Sequence, residues 1–145
     1  MILSAAEMVR RLGQEDVPGK LVIRPYNRES QQPASYDLRA ADETCLSYGT
    51  STLLPTMEWV ELPMDLAGTL RCRSSFGRRG VLLGGGFVDP GFRGQLTLCL
   101  TNMGKEEIMV NMNDRVAQMI LQEVRNPGEC YFGRYQDSFG VVEAK

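Results

Sequence analysis

The clearest pattern is a strict alternation over residues 95–101. Leu96, Leu98 and Leu100 fall on one side, and Thr97, Cys99 and Thr101 on the other. Strand side chains point alternately to opposite faces, so this period of two predicts a half-buried β-strand. Similar short runs recur at 21–24, ended by Pro25, at 36–40, where Tyr and Leu alternate with Asp and Arg, and at 58–62 around Trp59 and Val60. Others lie at 69–73, 108–111 and 116–124. One segment has a helical period instead. Ser4-Ala5-Ala6-Glu7 fits a capping box, with the Ser4 hydroxyl accepting from the Glu7 N–H and the Glu7 carboxylate reaching back. Met8, Val9 and Leu12 then predict one apolar helix face, and Gly13 a stop.

Turn signals punctuate the strands: Tyr48-Gly49, Leu54-Pro55, Leu62-Pro63, Gly84-Gly85-Gly86, Pro90-Gly91, Met103-Gly104 and Asn113-Asp114. Many short strands at such regular spacing predict a mainly β protein, a distorted jelly roll or barrel with one short N-terminal helix, and not a βαβ fold. There is no internal repeat and no low-complexity stretch. Asn126-Pro127-Gly128 reads as a hinge, and 128–145 beyond it as a mobile C-terminal tail.

A chain of 145 residues with this pattern is expected to form a single domain over 1–145. Its formal charge of −2 argues against a nucleic-acid coat and against a polybasic membrane anchor. No apolar run approaches the about 18 residues of a membrane span, and the N-terminus lacks a signal-peptide pattern. Cys45, Cys72, Cys99 and Cys130 are widely spaced, without a Cys-x-x-Cys pair, which predicts a reduced cytoplasmic protein with mostly buried thiols and no zinc site. The absence of histidine changes the chemistry most. It removes Ser-His-Asp and Cys-His catalysis, so proton transfer must use carboxylates, Lys, Tyr, Cys, water or the substrate.

Five segments could carry chemistry. In Arg71-Cys72-Arg73-Ser74-Ser75-Phe76-Gly77-Arg78-Arg79-Gly80, guanidinium forks, hydroxyls and backbone N–H groups near glycine suit an oligophosphate. A solvated basic turn is the alternative. In the glycine-rich run through Phe87, Val88, Asp89, Pro90, Gly91 and Phe92, Gly85 and Gly86 let backbone approach a ligand, and Asp89 sits where a carboxylate could be partly desolvated. A plain hairpin with a turn-forming Asp is the alternative. Asp37 alternates with apolar neighbours and could face a site or an interface, but Asp37 and Arg39 read best as a surface pair. Arg115 reads as an exposed strand residue, and Gln118 as a polar residue on a barrel face. Arg134, Tyr135, Gln136 and Phe139 in the tail suit a lid over a base and its phosphates, or a tail docked on its own barrel.

Taken in order, these segments resemble the dCTP deaminase / dUTPase superfamily from Met1 to about Gly140. Met1-Ile2-Leu3-Ser4, Gln32-Pro33-Ala34-Ser35-Tyr36-Asp37-Leu38-Arg39 and Gly133-Arg134-Tyr135-Gln136 are similar to the deaminase branch, as is Arg73-Ser74-Ser75 with Arg78 and Gly80. The run 88–98 followed by Asn102 resembles the superfamily's base-binding hairpin, and Arg115-Val116-Ala117-Gln118-Met119-Ile120 the dUTPase Arg-Ile-Ala-Gln motif. The resemblance implies a jelly roll, a homotrimer with sites between subunits, and a deoxynucleoside triphosphate substrate whose phosphates hold Mg²⁺. It implies that Arg73, Ser74, Ser75, Arg78 and Gln118 contact phosphate or sugar. Gly85, Gly86, Phe87 and Phe92 would line the base and sugar pocket. Asp89 would orient and deprotonate the attacking water, and a tail aromatic, Phe139, would cap the base.

One departure bears on the reaction. Deaminases carry a catalytic glutamate in a Leu-Glu pair on the strand after that aspartate; here Leu98 is followed by Cys99. A buried thiol is a poor proton shuttle, so the resemblance implies a deaminase-branch, archaeal-type dUTPase that converts dUTP to dUMP and pyrophosphate. The alternatives are a dCTP deaminase with a non-standard acid/base and a non-catalytic nucleotide sensor.

Overall fold

In the computed structural model, which describes residues 1–13 and 19–145, the helix forms where its cap predicts. Helix α1 spans Ala5–Leu12, and the Ser4 hydroxyl accepts from the Glu7 N–H at 3.3 Å. The other half of the box does not form. The Glu7 carboxylate turns to Arg10 and Arg11 instead, and those guanidiniums hold it down at a pKa of about 2. The buried face also differs from the expected one. Met8 is buried, but Val9 is exposed and Arg11 takes a buried place, with its head group on Asp65 and Gly19. A long side chain can cover apolar surface with its stem while its charge finds partners.

The rest of the described chain is mainly β. Strands β1 (Val22–Arg24), β2 (Gln31–Gln32), β3 (Ser35–Arg39), β4 (Thr44–Leu46), β5 (Ser51–Glu61) and β6 (Leu66–Cys72) lead to a one-turn helix α2 (Ser74–Gly77). Strands β7 (Val81–Gly84), β8 (Phe87–Val88), β9 (Arg93–Asn102), β10 (Ile108–Val110) and β11 (Arg115–Glu123) follow. They form a five-stranded sheet ordered β2-β3-β11-β6-β8, a four-stranded sheet ordered β1-β5-β9-β7, and a β10-β4 pair, all antiparallel. The sheets are open, not closed into a barrel. Their inward faces share one core, with Leu38, Met119 and Leu121 from one sheet against Leu54, Leu98 and Leu100 from the other. No helix among the described residues is long and apolar enough to cross a membrane.

Two departures from the sequence pattern matter for the site. Pro55, expected in a turn, lies inside β5, at the start of a register shift between Pro55 and Trp59. A bulge is where a strand tolerates proline. Within it the buried Thr56 hydroxyl accepts from the Leu96 N–H at 3.0 Å. Second, Asp37 and Arg39 are not a surface pair. All five residues of β3 are buried, and the two side chains find different partners. Arg39 Nε lies 2.7 Å from Glu58 Oε1, while its backbone N–H donates to Glu58 Oε2 at 2.9 Å. Its other nitrogens reach Pro25 O and Asn113 Oδ1.

The Glu58 carboxylate is fully buried, so its loss leaves a guanidinium without countercharge. Breaking such a pair from one side costs about 3–5 kcal/mol. Glu58→Ala is expected to lower Tm by about 2–4 °C per kcal/mol for a chain of this length. Replacing both partners by Leu and Met is expected to recover most of that loss. A double variant no more stable than Glu58→Ala would show that the guanidinium is not the penalised group.

Candidate active site

The phosphate-type segment forms as its residues suggest. β6 ends at Cys72, Arg73 occupies the N-cap position, and Ser74 and Ser75 open α2, both exposed. The buried Phe76 pins that turn, and Arg78, exposed, follows it. The Arg73 N–H bonds to Val116 O at 3.0 Å, fixing the turn to β11. Pairing of β3, β11 and β6 then sets Asp37, Gln118 and Arg71 side by side in one row. Arg73 Nε lies 3.0 Å from Asp37 Oδ2, and Arg115 Nη1 lies 3.6 Å from the same oxygen. Arg73, Ser74, Ser75 and Gln118 thus share one corner of the five-stranded sheet. Asp37 and Arg115 belong to it too, although taken alone the first reads as half of a surface pair and the second as an exposed strand residue. Only strand register, linking residues far apart in sequence, reveals the grouping.

Asp89 stands elsewhere. The Gly84-Gly85-Gly86 run carries the chain from the edge of one sheet to the edge of the other, where β8 pairs with β6. Gly86 has φ +117°, and a Cβ there would meet Leu70 Cβ at 2.7 Å, so only glycine fits the crossing. Asp89 follows β8 at the start of a turn in which the Phe92 N–H bonds to Asp89 O at 3.1 Å. Asp89 is exposed. It lines a cavity of about 350 Å³ together with Phe87, Phe92, Cys99, Tyr131 and Glu143. Gly85 and Gly86 are not among the lining residues, and neither are Arg73, Ser74, Ser75, Arg78 and Gln118.

Cys99 also departs from the expectation of buried thiols. Leu98 and Leu100 take the core face of β9, which leaves Cys99 half-buried on the opposite face, in the Asp89 cavity. Cys72 is half-buried as well, while Cys45 and Cys130 are exposed.

The tail is docked on its own hairpin rather than free. The Gln95 N–H donates to Ser138 O at 2.8 Å, the Gly140 N–H to Gln95 Oε1 at 2.6 Å, and the Val142 N–H to Thr97 Oγ1 at 3.0 Å. The Gln136 amide bonds Gly91 O, Asp137 pairs with Arg93, and Tyr131 packs edge-on against Phe92. Gly94 makes room for this: a Cβ there would meet Ser138 N at 2.9 Å. Tyr135 joins the cavity wall, whereas Phe139 is 81% exposed and lies outside it. Arg134 bonds Lys145 O. The docking also brings Glu143 into the cavity, a carboxylate that the weakly patterned tail sequence did not single out.

The described residues offer no cluster of three or more Asp, Glu, Cys or His side chains for an all-protein metal cage. Mg²⁺ keeps most of its waters and takes few carboxylates, so a site for it needs no such cluster.

The dUTPase family model matches residues 23–135. The dCTP deaminase of Pyrococcus abyssi is 34% identical over 142 residues, covering 87% of this chain and 92% of its own. The dUMP-forming dCTP deaminase of Halobacterium salinarum is 38% identical over 106 residues, 68% of this chain and 54% of its own. Among solved structures, the dCTP deaminase of Agrobacterium tumefaciens superposes with a TM-score of 0.70 at 21% identity over 83% of this chain and 47% of that one. The native EIAV dUTPase superposes with a TM-score of 0.64 at 22% identity over 80% and 98%. The order of motifs, the open jelly roll and these matches agree: the chain belongs to the dUTPase family, within the superfamily that also holds the dCTP deaminases.

Proposed function

We propose that this protein hydrolyses dUTP to dUMP and pyrophosphate. The observation that carries the reading is the make-up of the cavity on the hairpin. Asp89 is exposed there, and Cys99, which the resemblance sets where deaminases carry their glutamate, lines the same cavity. In the hydrolysis, Asp89 accepts a proton from water as the new P–O bond forms and the α–β phosphoanhydride breaks. Arg73, Ser74, Ser75, Arg78 and Gln118 hold the phosphates, where fixed donors stabilise the charge that develops. Mg²⁺ carried in by the triphosphate supplies further charge neutralisation. Phe87 and Phe92 offer the base an apolar wall.

The separation of Asp89 from the Arg73 corner supports a homotrimer in which one copy's hairpin faces another copy's phosphate corner. Exposed Leu82, Phe87, Met103, Met109 and Met112 supply apolar surface for such contacts. The test is pyrophosphate release from dUTP with Mg²⁺: steady release supports the reading, and none with intact, folded protein refutes it.

Two observations favour a second reading, deamination of dCTP. The relatives above are named dCTP deaminases, and Glu143 puts a second carboxylate in the cavity with Asp89. On this reading Glu143 moves the proton as water adds at C4 and ammonia leaves, and Glu143→Gln abolishes ammonia release while sparing pyrophosphate release.

The Cys99 position separates the readings further. The half-buried, cavity-facing site has room for a longer polar side chain, so Cys99→Glu is expected to fold with a Tm near the parent's. It is expected still to release no ammonia from dCTP, because deamination also needs groups that hold the amino group and place the water, which one added carboxylate does not supply. Ammonia release by this variant alone would show that residue 99 is the whole difference between the two activities.

A further inference from the structure

Asp37 is 1% exposed, and among the described residues its two oxygens and Ser30 Oγ are the buried side-chain oxygens without a hydrogen-bond partner. The carboxylate is not alone, however. Arg73 Nε approaches Oδ2 to 3.0 Å from the end of β6, and Arg115 Nη1 approaches it to 3.6 Å from β11. Each guanidinium is tied down a second time, Arg73 through Nη1 to Arg115 O at 3.1 Å and Arg115 through Nη1 to Glu29 O at 2.7 Å. The two heads converge on one buried charge yet keep open sides, with the Arg73 side chain 27% and the Arg115 side chain 37% exposed.

A carboxylate taken out of water is costly unless its partners repay it with good geometry, so a purely structural pair would close its hydrogen bonds. Here they are left open, beneath two cations that face outward. The Gln118 amide is the other polar group against this carboxylate, and the register neighbour of Gln118 on the far strand is the exposed Arg71.

We propose that Asp37 is a positioning residue that holds Arg73 and Arg115 as a paired seat for one phosphate group, which makes Arg115 a phosphate-binding residue. The proposal rests on the triphosphate reading above and deepens it. Two guanidiniums side by side repel each other. A buried carboxylate at their inner edges keeps both forks aimed the same way, where a phosphate accepts from each. Burial pushes the Asp37 carboxyl above its ordinary range against the pull of Arg73 and Arg115, so acid weakens the seat by protonating it.

The test is calorimetric binding of inorganic tripolyphosphate to the full chain, with dUTP kinetics in parallel, for wild type, Asp37→Asn, Asp37→Glu and Arg115→Gln. Neutralising a carboxylate makes the site more positive. If Asp37 only balanced charge, Asp37→Asn would bind tripolyphosphate as well as wild type or better, and that result overturns the proposal. If it positions the seat, Asp37→Asn binds about tenfold more weakly or worse. Arg115→Gln does the same, Asp37→Glu recovers part of the loss, and KM for dUTP rises more than kcat falls. Wild-type KM then also rises on acidification through a titration that Asp37→Asn lacks. Arg115 is partly exposed, so its variant carries the test even if Asp37→Asn fails to fold; unchanged tripolyphosphate binding by Arg115→Gln also overturns the proposal. A wild type that binds tripolyphosphate in this pattern but does not hydrolyse dUTP refutes the dUTPase reading and leaves the seat standing.

Discussion

Asp89→Asn is expected to lose turnover of dUTP by about 10²-fold or more while nucleotide affinity stays within a few-fold of wild type. Asn is nearly isosteric and keeps the turn, because the bond from the Phe92 N–H goes to the Asp89 backbone carbonyl and not to its side chain. What Asn cannot do is take a proton from water. The other cavity carboxylate, Glu143, comes from the docked tail and not from the hairpin. The measurement is kcat by pyrophosphate release alongside binding of a non-hydrolysable dUTP analogue. Wild-type kcat in the variant would make Asp89 a turn residue only.

Removal of the chain after Pro127 is expected to remove most activity and to lower Tm by only a few degrees. The tail contributes Tyr131, Tyr135, Ser138, Val142, Glu143 and Ala144 to the cavity, so truncation opens it to solvent on one side. An open site loses the exclusion of water that strengthens its electrostatics. The core suffers little, because its buried members are all in or before β11, with Tyr131 only packed against its edge. Protection of the tail from protease is expected to increase when the analogue and Mg²⁺ are added. A truncated chain with wild-type kcat would show that the docked tail is packing alone.

Local patterns fixed much of the fold in advance. The alternation at 95–101 became β9, the run at 116–124 became β11 with one residue shifted at each end, and the Ser4 cap started α1. These signals are local, since each depends on neighbours within a few residues. The short strands β2, β4 and β7 went unpredicted because two to four residues carry too little periodicity. Pro55 broke a strand on paper but not in space, since the bulge that admits it comes from pairing with β9.

The site divides in the same way. The Arg73-Ser74-Ser75 turn was legible because its chemistry is contiguous. Asp37 looked like a surface residue because its burial depends on β11 and on two guanidiniums from other segments. Arg39 had the same apparent role, and its real partner, Glu58, lies on β5. Glu143 stayed invisible until the tail docked, since no period marked it and its position follows from Gln95 and Thr97 side chains accepting backbone N–H groups.

The most direct measurement presents equal dUTP and dCTP, in separate reactions with Mg²⁺, to the full-length wild-type protein and counts pyrophosphate and ammonia released. The account predicts pyrophosphate from dUTP and no ammonia from dCTP. Ammonia released from dCTP by the wild type would contradict it, and would assign to the cavity around Asp89, Cys99 and Glu143 the deamination that the missing glutamate argues against.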